Sequence, residues 1–271
     1  MLLILFILFV ILLVGVLYKA NKNTKDVVIN NILLEETAGK SLSKPLRVLH
    51  LSDLHLENIS VSPQMLSKSI ENYPIDLITI TGDFLDRKGS IPKLIPYLEV
   101  LGNLKPRFGM YAVFGNHDYV LKGESFHRLK KTLEENGCKT LQNEHLTVEV
   151  EGCKLNIIGI DDFSTNRSNL LRSYEGVQDG YNLVLTHDPN IVLKMKDFHF
   201  DYLLSGHFHG GQIHWPKPYH LIKMGKLVRM KMVKGLHYHN GKPFYISEGL
   251  GQTGINIRIG SRPEITLHQI S

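Results

Sequence analysis

The sequence predicts an α/β fold with a largely parallel sheet, preceded by one apolar helix that is long enough to cross a membrane. Three observations support this prediction. Short apolar runs typical of strands alternate with stretches typical of amphipathic helices, several of those runs end in a polar or ionisable residue, and the first segment of the chain carries no charged side chain. Alternating strands and helices favour βαβ units, which place their strands in parallel.

The N-terminal segment, residues 1–18, reads MLLILFILFVILLVGVLY. A helix of this length rises about 27 Å, which is just enough to cross the hydrocarbon core of a bilayer. A cleaved signal peptide is the alternative, but no Lys or Arg precedes the run, and LYKA at residues 17–20 is a poor cleavage site. We therefore expect an uncleaved transmembrane anchor over residues 1–19 in the cell membrane.

The charges that follow the anchor predict its orientation. Lys19, Lys22 and Lys25 come directly after the apolar run, whereas its other side offers only the α-amino group. The positive-inside rule then places the body of a single-pass protein in the cytoplasm. Residues 20–44 are polar and lack strong periodicity, so they are predicted to form a linker, with one early strand over residues 27–34.

The composition limits the functions open to residues 45–271, which are enough for one large domain. The net charge is +5, but the basic residues are scattered and form no arginine-rich stripe, so nucleic acid is not an expected partner. A mildly basic net charge favours phosphate groups or anionic membrane lipid as binding partners instead. Cys138 and Cys153 form no CxxC pair and are expected to be buried or half-buried apolar side chains.

Predicted strands and helices alternate along most of this domain. The apolar runs that predict strands lie at residues 47–52, 76–81, 110–114, 182–186 and 201–205. Helical patterns lie between or after them, at residues 63–72, 91–104, 124–136 and 189–196. Two hairpins are predicted with turns at residues 151–152 and 240–241, and a last strand is predicted over residues 265–270.

Polar side chains at the ends of the predicted strands form the candidate site. They are Asp53 and His55, Asp83, Asn116 and His117, His187, and His207 with His209. In an open α/β sheet, ligands bind beyond the carboxyl ends of the strands, so we expect these side chains to converge. Crowded carboxylates repel each other, and a divalent cation removes that penalty. Oxygen and imidazole ligands without thiolates favour Mn²⁺, Fe²⁺ or Zn²⁺ over a closed structural zinc site.

The segment LLSGHFHGGQIHWP at residues 203–216 fits this interpretation. His207 and His209 lie on the same side of an extended chain, and the glycines around them let the backbone turn and approach the ions. A single polar residue after a strand is usually a turn former or a helix cap, and we assign that role to Asp118 and Asp188.

Five motifs in this order resemble those of the calcineurin-like metallophosphoesterases. They are DLH at 53–55, GDFLD at 82–86, GNHD at 115–118, TH at 186–187 and GHFHGGQ at 206–212. The match in order and spacing extends over roughly residues 46–270. The stretches GHFHGGQIHWP, GLGQTGINIR and RPEI are also similar to the membrane-associated bacterial phosphohydrolases of the YaeI/YkuE type.

The resemblance implies a four-layer α/β/β/α sandwich of two mixed sheets, with two divalent ions (Mn²⁺, Fe²⁺ or Zn²⁺) between its loops. The implied ligands are Asp53, His55 and His209 for the first ion, Asn116, His187 and His207 for the second, and Asp83 as a bridge between them. His117 would then meet the phosphate and protonate the leaving oxygen, while a hydroxide between the ions attacks phosphorus.

The resemblance also suggests a substrate. Some members of the YaeI/YkuE neighbourhood hydrolyse the pyrophosphate of UDP-2,3-diacylglucosamine, so hydrolysis of a lipid-linked pyrophosphate at the membrane is the leading hypothesis. A general phosphodiesterase or phosphatase for soluble nucleotides is an alternative, with the anchor serving only location. A catalytically weak metal-binding scaffold is another, and the complete set of implied ligands argues against it.

Residues 213–238, which follow the last metal motif, are rich in Lys, Met and Leu. One interpretation is a pair of core strands. The other is a basic, apolar flap that lies on the membrane or over a lipid-linked substrate. Arg258 and Arg262 are candidates for phosphate contacts, although surface salt bridges are the commoner role for such residues.

Overall fold

The computed structural model describes residues 1–34, 42 and 44–271. Its helices are α1 Leu2–Lys22, α2 Pro63–Ile70, α3 Ile91–Asn103, α4 Glu124–Glu135, α5 Leu170–Tyr174 and α6 Lys226–Arg229. Its strands are β1 Val28–Leu34, β2 Leu46–Leu51, β3 Leu77–Thr81, β4 Met110–Val113, β5 Cys138–Thr140, β6 Glu144–Val150, β7 Cys153–Gly159, β8 Tyr181–Leu185, β9 Tyr202–Ser205, β10 Gly235–His239, β11 Lys242–Ile246 and β12 Glu264–Ile270.

The described strands form two six-stranded mixed sheets. The first has the order β1-β12-β2-β3-β4-β5, and its neighbours are parallel except for β12 with β2. The second has the order β10-β11-β9-β8-β7-β6, with a parallel centre and an antiparallel hairpin at each edge. The two predicted hairpins, the last strand and the parallel strands that lead to the candidate site are all present.

Three apolar clusters build four layers. Leu66, Leu98 and Leu129 of α2, α3 and α4 pack on one face of the first sheet. A second cluster fills the space between the sheets, and a third, which includes Leu221 and Leu227, covers the outer face of the second sheet. Side chains alternate along each strand, so every strand contributes to two layers. The predicted four-layer α/β/β/α sandwich is therefore confirmed.

The polar segment expected to be a linker contains a strand of the first sheet. β1 lies at the edge of that sheet, and Ile29 pairs with Ile265 in a parallel register. The early strand predicted for residues 27–34 is thus present. Its burial is incomplete because it lies at the edge, which explains its weakly alternating sequence VINNILL. The rest of the predicted linker, residues 35–41 and 43, lies outside the described residues.

Two other elements differ from the prediction. The helix expected at residues 189–196 is a 3₁₀ helix, Pro189–Lys194, which Asp188 caps by accepting the Asn190 N–H. Of the two interpretations of residues 213–238, the pair of core strands is wrong for most of its length. A 3₁₀ helix at Tyr219–Lys223 and the short α6 come first, and only β10 is a strand. Prolines and a glycine in this segment interrupt any longer ladder.

α1 is long and apolar enough to cross a membrane, and its apolar side chains are exposed. Its carboxyl end is fixed to the loop between β11 and β12. Ala20 is buried, and its carbonyl accepts the N–H of Arg258 at 2.9 Å. Asn21 donates its side-chain amide to the Asn256 carbonyl, and Asn23 donates to the Arg258 carbonyl, at 2.8 and 2.9 Å. The candidate membrane span is therefore attached rigidly to the domain.

The buried side chain of Arg258 holds the same loop, between β11 and β12, in place. Its side chain is fully buried, and burial lowers its pKa to about 10. The guanidinium donates to the backbone carbonyls of Glu248, Gly249, Gly251 and Arg262. A phosphate contact through Arg258 is therefore excluded in this arrangement. Arg262, by contrast, forms the surface ion pair expected for such a residue, with Asp26 at 3.0 Å.

Replacing Arg258 by Met should destabilise the domain, because four buried carbonyls lose their donor. We expect a loss of about 3 kcal/mol in the free energy of unfolding. That loss corresponds to a fall of roughly 6–12 °C in the melting temperature. Arg262→Met is the matched control, since an exposed ion pair contributes less than about 1 kcal/mol. Thermal unfolding followed by circular dichroism measures both variants, and equal melting temperatures for the two would contradict the structural role of Arg258.

Candidate metal centre

The carboxyl ends of five strands from both sheets meet at one edge of the sandwich. The residues that follow these strands are Asp53 and His55 after β2, Asp83 after β3, Asn116 and His117 after β4, His187 after β8, and His207 with His209 after β9. The structure brings together all the side chains that the sequence places in the candidate site.

The backbone at this edge is strained. Asp53, His55, Asp83, His207 and His209 have φ values of 51°, 41°, 54°, 77° and 51°. Positive φ is uncommon for residues other than glycine and clusters at functional sites, where the surrounding structure holds it in place. These residues lie just after buried strands, where the left-handed backbone takes the chain out of the pleat and their side chains converge.

Two glycines make this close approach possible. A Cβ atom built on Gly206 would lie 1.9 Å from the Ser52 hydroxyl, and one built on Gly115 would lie 2.2 Å from Asp83 Oδ1. Any larger residue would therefore push the Asp83 carboxylate or the Ser52 hydroxyl out of position. The sequence interpretation that glycines let the backbone approach the site agrees with this geometry.

The first group of converging side chains consists of Asp53, His55 and His209. Their candidate ligand atoms lie within 4.8 Å of one another. His209 Nε2 is 3.3 Å from Asp53 Oδ1, and the ring centroids of His55 and His209 are 4.9 Å apart. All three side chains are buried, which excludes bulk water from their ligand atoms.

The second group consists of Asp83, His187 and His207. His187 Nε2 lies 3.1 Å from both Asp83 Oδ2 and His207 Nδ1. The other ring nitrogen of His187, Nδ1, lies 2.7 Å from the Thr81 carbonyl and donates to it, which leaves Nε2 free as a ligand. Asp83 Oδ2 is also 3.6 Å from His55 Nε2, so this carboxylate lies between the two groups.

Several buried polar atoms here have no hydrogen-bond partner among the described residues. They are both ring nitrogens of His55, Asp83 Oδ2, Asn116 Oδ1 and Nδ1 of His209. An unsatisfied buried polar atom is costly, and metal coordination would satisfy such a set. Because the donors are oxygen and imidazole nitrogen without sulfur, they fit Mn²⁺, Fe²⁺ or Zn²⁺. The residues present therefore fit the pair of divalent ions that the sequence predicts.

The protonation states of two of the imidazoles also suit metal binding. Burial lowers the pKa of His209 to about 3, and burial with the neighbouring His187 lowers the pKa of His207. Both rings are therefore neutral near pH 7 and have a free lone pair. Burial opposes the negative charge of Asp83, yet His187 and His55 hold its pKa well below the usual range. Burial likewise opposes a charge on His187, but the adjacent Asp83 carboxylate raises its pKa.

His117 has a partner that the sequence did not reveal. Its Nδ1 donates to Asp86 Oδ1 at 2.7 Å. Burial disfavours the charged ring, but the hydrogen bond with Asp86 and the charge of Asp83 raise the pKa of His117 to about 9. The hydrogen bond from His117 and the nearby His55 ring, 3.6 Å away, in turn lower the pKa of Asp86. The signal for Asp86 was the second acid of GDFLD, but nothing in the spacing connects it with His117.

Asp118 is more than a turn former. It is fully buried, and its two carboxylate oxygens accept the N–H groups of Asp83, Phe84 and Gly115 at 2.8–2.9 Å. Burial and the charge of Asp83 raise the pKa of Asp118 to about 8, while the backbone donors lower it. Asp118 thereby joins the loop of Asp83 to the loop of Asn116. For Asp188, the predicted role as a cap is confirmed.

A cavity of about 130 Å³ opens onto these side chains. Its polar lining includes Asp83, Asn116, His117, His207 and His209. The other lining residues are Phe208, Gln212, His220, Leu221, Met224 and Thr253. His117 is only half-buried, so its ring is accessible to a molecule in this cavity.

The fold, the converging ligands and the cavity define a phosphoesterase site, and comparison with known proteins agrees. Residues 46–211 match the calcineurin-like phosphoesterase family, and the chain belongs to it. It is therefore a metal-dependent phosphoester hydrolase by family.

Individual relatives are consistent with this membership. The chain is 68% identical to the uncharacterized metallophosphoesterase YkoQ of Bacillus subtilis, over 96% of this chain and 97% of YkoQ. It is 27% identical to the phosphodiesterase YaeI of Escherichia coli, over 85% of this chain and 84% of YaeI. The solved structure of the sulfate thiohydrolase SoxB of Thermus thermophilus shares the fold at 10% identity, with a TM-score of 0.50 over 86% of this chain and 57% of SoxB.

Asp118→Asn should weaken metal binding, because an amide presents a donor to backbone N–H groups that need an acceptor. We expect affinity for Mn²⁺ to fall by about 10–100-fold, the usual effect of removing a group that orients the ligands. Titration calorimetry with Mn²⁺ measures the affinity. Asp188→Asn is the control, since it lies beside His187 but caps a helix, a role that Asn fills equally well. Unchanged affinity in Asp118→Asn would show that the carboxylate does not position the ligands.

Proposed function

We propose that the protein hydrolyses phosphoester or pyrophosphate bonds at a dinuclear metal centre on the membrane. The position of the Asp83 carboxylate between the Asp53–His55–His209 group and the His187–His207 pair is the observation that carries the proposal. A single acidic side chain shared by two sets of imidazoles suits a bridging ligand. Family membership supports the same reaction class.

The proposed ligands follow from this arrangement. Asp53, His55 and His209 would hold one ion, Asn116, His187 and His207 would hold the other, and Asp83 would bridge them. When bound, two divalent cations supply charge neutralisation at the phosphoryl oxygens and lower the pKa of coordinated water. The metal identity stays open among Mn²⁺, Fe²⁺ and Zn²⁺, which all accept these donors.

His117 is the proposed general acid. Its Nδ1–H is held by Asp86, so the ring is oriented with Nε2 available to the cavity. With a pKa of about 9, the imidazole carries the extra proton at neutral pH. It can therefore protonate the leaving oxygen as the bond to phosphorus breaks. Asp86 stabilises the charged ring and fixes its orientation.

We also propose that α1 anchors the enzyme in the cell membrane as a single span, with the domain in the cytoplasm. The helix has the length and composition of a span, and Lys19, Lys22 and Lys25 follow its apolar part. Cationic residues are retained on the cytoplasmic side by the positive-inside rule.

An amphiphilic substrate suits the surroundings of the proposed centre. Phe208, Leu221 and Met224 give its cavity an apolar wall. A second cavity of about 330 Å³ is lined by Pro218, Ile222, Val228 and Val233, together with His214, Lys217 and Lys231. These apolar walls support a lipid-linked pyrophosphate such as UDP-2,3-diacylglucosamine as the substrate. A soluble nucleotide would use only the polar side of the site.

The reaction class can be tested with bis-p-nitrophenyl phosphate and Mn²⁺. We expect hydrolysis that a chelator abolishes. Asp83→Ala should lose bound metal and activity together, because both proposed ions share this ligand. His117→Ala should keep its metal but turn over about 10²–10⁴-fold more slowly. Metal content by atomic emission, read beside the rate, separates the two roles. Normal turnover by metal-loaded His117→Ala of a substrate with a poor leaving group would rule out the acid role.

The substrate class needs a direct comparison. We expect the Mn²⁺-loaded full chain in detergent micelles to cleave UDP-2,3-diacylglucosamine with a higher kcat/KM than UDP-glucose or cyclic nucleotides, because only the lipid can occupy the apolar walls. Met224→Gln, at a half-buried residue that lines the same cavity, should reduce kcat/KM for the lipid and leave that for the soluble substrates nearly unchanged. A preference for soluble nucleotides in the wild-type chain would favour the alternative function.

A further inference from the structure

The segment between the last metal motif and β10 has an unusual surface. We call residues 213–234 the cap segment. It contains no Asp or Glu, and its exposed cations are Lys217, Lys223, Lys226, Arg229 and Lys231. Among them are large exposed apolar side chains: Trp215 is 75% exposed, Ile222 50% and Met230 42%. An exposed surface that is both apolar and uniformly cationic is typical of a protein that binds an anionic interface.

The cap segment is attached to the same loop as the end of α1. Ile213 pairs with Ile259, and the His214 N–H donates to the Ile259 carbonyl at 2.7 Å. The preceding residue, Arg258, donates its N–H to Ala20 at the end of α1. Two consecutive residues of one loop thus contact the start of the cap segment and the end of the candidate span, which places the two at the same level of the molecule.

The end of α1 has a matching surface. A groove there is lined by Tyr18, Lys19, Lys22, Lys25 and Arg262, together with Asn23 and Asp26. Tyrosine and lysine directly after an apolar span are the side chains that meet the headgroup region of a bilayer. The loop between the groove and the cap segment adds another exposed apolar side chain, Ile255, which is 67% exposed.

We propose that the exposed face of the cap segment docks on the surface of the anionic bilayer that α1 enters. The inference rests on the proposed anchor, because the anchor brings the cap segment to the membrane. Its five exposed cations match the negative surface potential of that leaflet, and Trp215, Ile222 and Met230 bury in the headgroup region.

Docking would fix the position of the metal centre relative to the bilayer surface. His220, Leu221 and Met224 of the cap segment line the cavity over the proposed centre, so the mouth of that cavity lies at the edge of the docked surface. Gln212, which also lines this cavity, joins the metal loop to Thr253 and Ile255 through hydrogen bonds of 3.0 and 3.1 Å. A docked cap segment therefore presents the centre to molecules that lie in the bilayer surface.

Trp215 is the single tryptophan of the chain and reports directly on this contact. The full chain is placed in nanodiscs of phosphatidylglycerol and phosphatidylcholine, with or without bromine on the upper acyl carbons. We expect brominated lipid to quench Trp215 emission by about twofold or more, and we expect discs of phosphatidylcholine alone to show clearly less quenching. Lys217→Glu/Lys223→Glu should lose most of the quenching, because it replaces attraction to the anionic surface by repulsion.

Lys68→Glu/Lys131→Glu is the matched control. It reverses two exposed lysines of α2 and α4, on the opposite outer layer of the sandwich. Its quenching should equal that of the wild-type chain, and circular dichroism checks that both double variants are folded. Equal loss of quenching in the two variants would show a general charge effect and overturn the docking surface.

The Trp215 quenching experiment tests the docking surface separately from the proposed hydrolysis and the proposed anchor. Hydrolysis is not measured, so failure of the phosphoesterase assay would leave the quenching result intact. If alkaline carbonate strips the full chain from membranes, the anchor and the docking surface both fail. If the chain stays in the membrane but Trp215 is quenched only by aqueous acrylamide, the docking surface alone fails.

Discussion

The carboxylate of Asp83 is the constraint on which the rest of the site depends. It lies 3.1 Å from His187 and 3.6 Å from His55, and it therefore ties the first sheet to the second at the edge where their strands end. Holding it there requires a left-handed backbone, and the adjacent turn contains Gly82, which also has positive φ. Asp118 then accepts the N–H of Asp83 and fixes the turn. Strain in one loop is offset by hydrogen bonds from another.

The loop that contains Arg258 supports Asp53 of the first ligand group, as Asp118 supports the turn of Asp83. Its buried guanidinium holds the chain from residue 248 to residue 262, and Gly251 in that loop donates to the Asp53 carbonyl. Gly249 packs so closely on Asp53 that a Cβ there would lie 2.7 Å from the Asp53 side chain. The end of α1, the cap segment and the first ligand group are thus supported by one buried cation.

The sequence was a good guide to the fold and to which side chains meet. Parallel strands bring their carboxyl ends to one edge, so a polar residue after each strand could be placed without coordinates. Asp86 was missed because its contact with His117 spans 31 residues and depends on the turn between them. Asp118 was read as a turn former because its four N–H partners belong to two separate loops. The core-strand interpretation of the cap segment was wrong because its helices are only four or five residues long, too short for a periodic pattern.

The hydrogen bonds at the end of α1 determine at which residue a truncated chain should begin. Ala20, Asn21 and Asn23 share hydrogen bonds with the loop of Arg258, and Thr24 is buried against Ser60. A few residues later, β1 completes the edge of the first sheet. A version of the enzyme without the apolar part of α1 should therefore begin near Lys19. A start at residue 45 would remove β1 and expose β12 as a bare edge, which promotes aggregation.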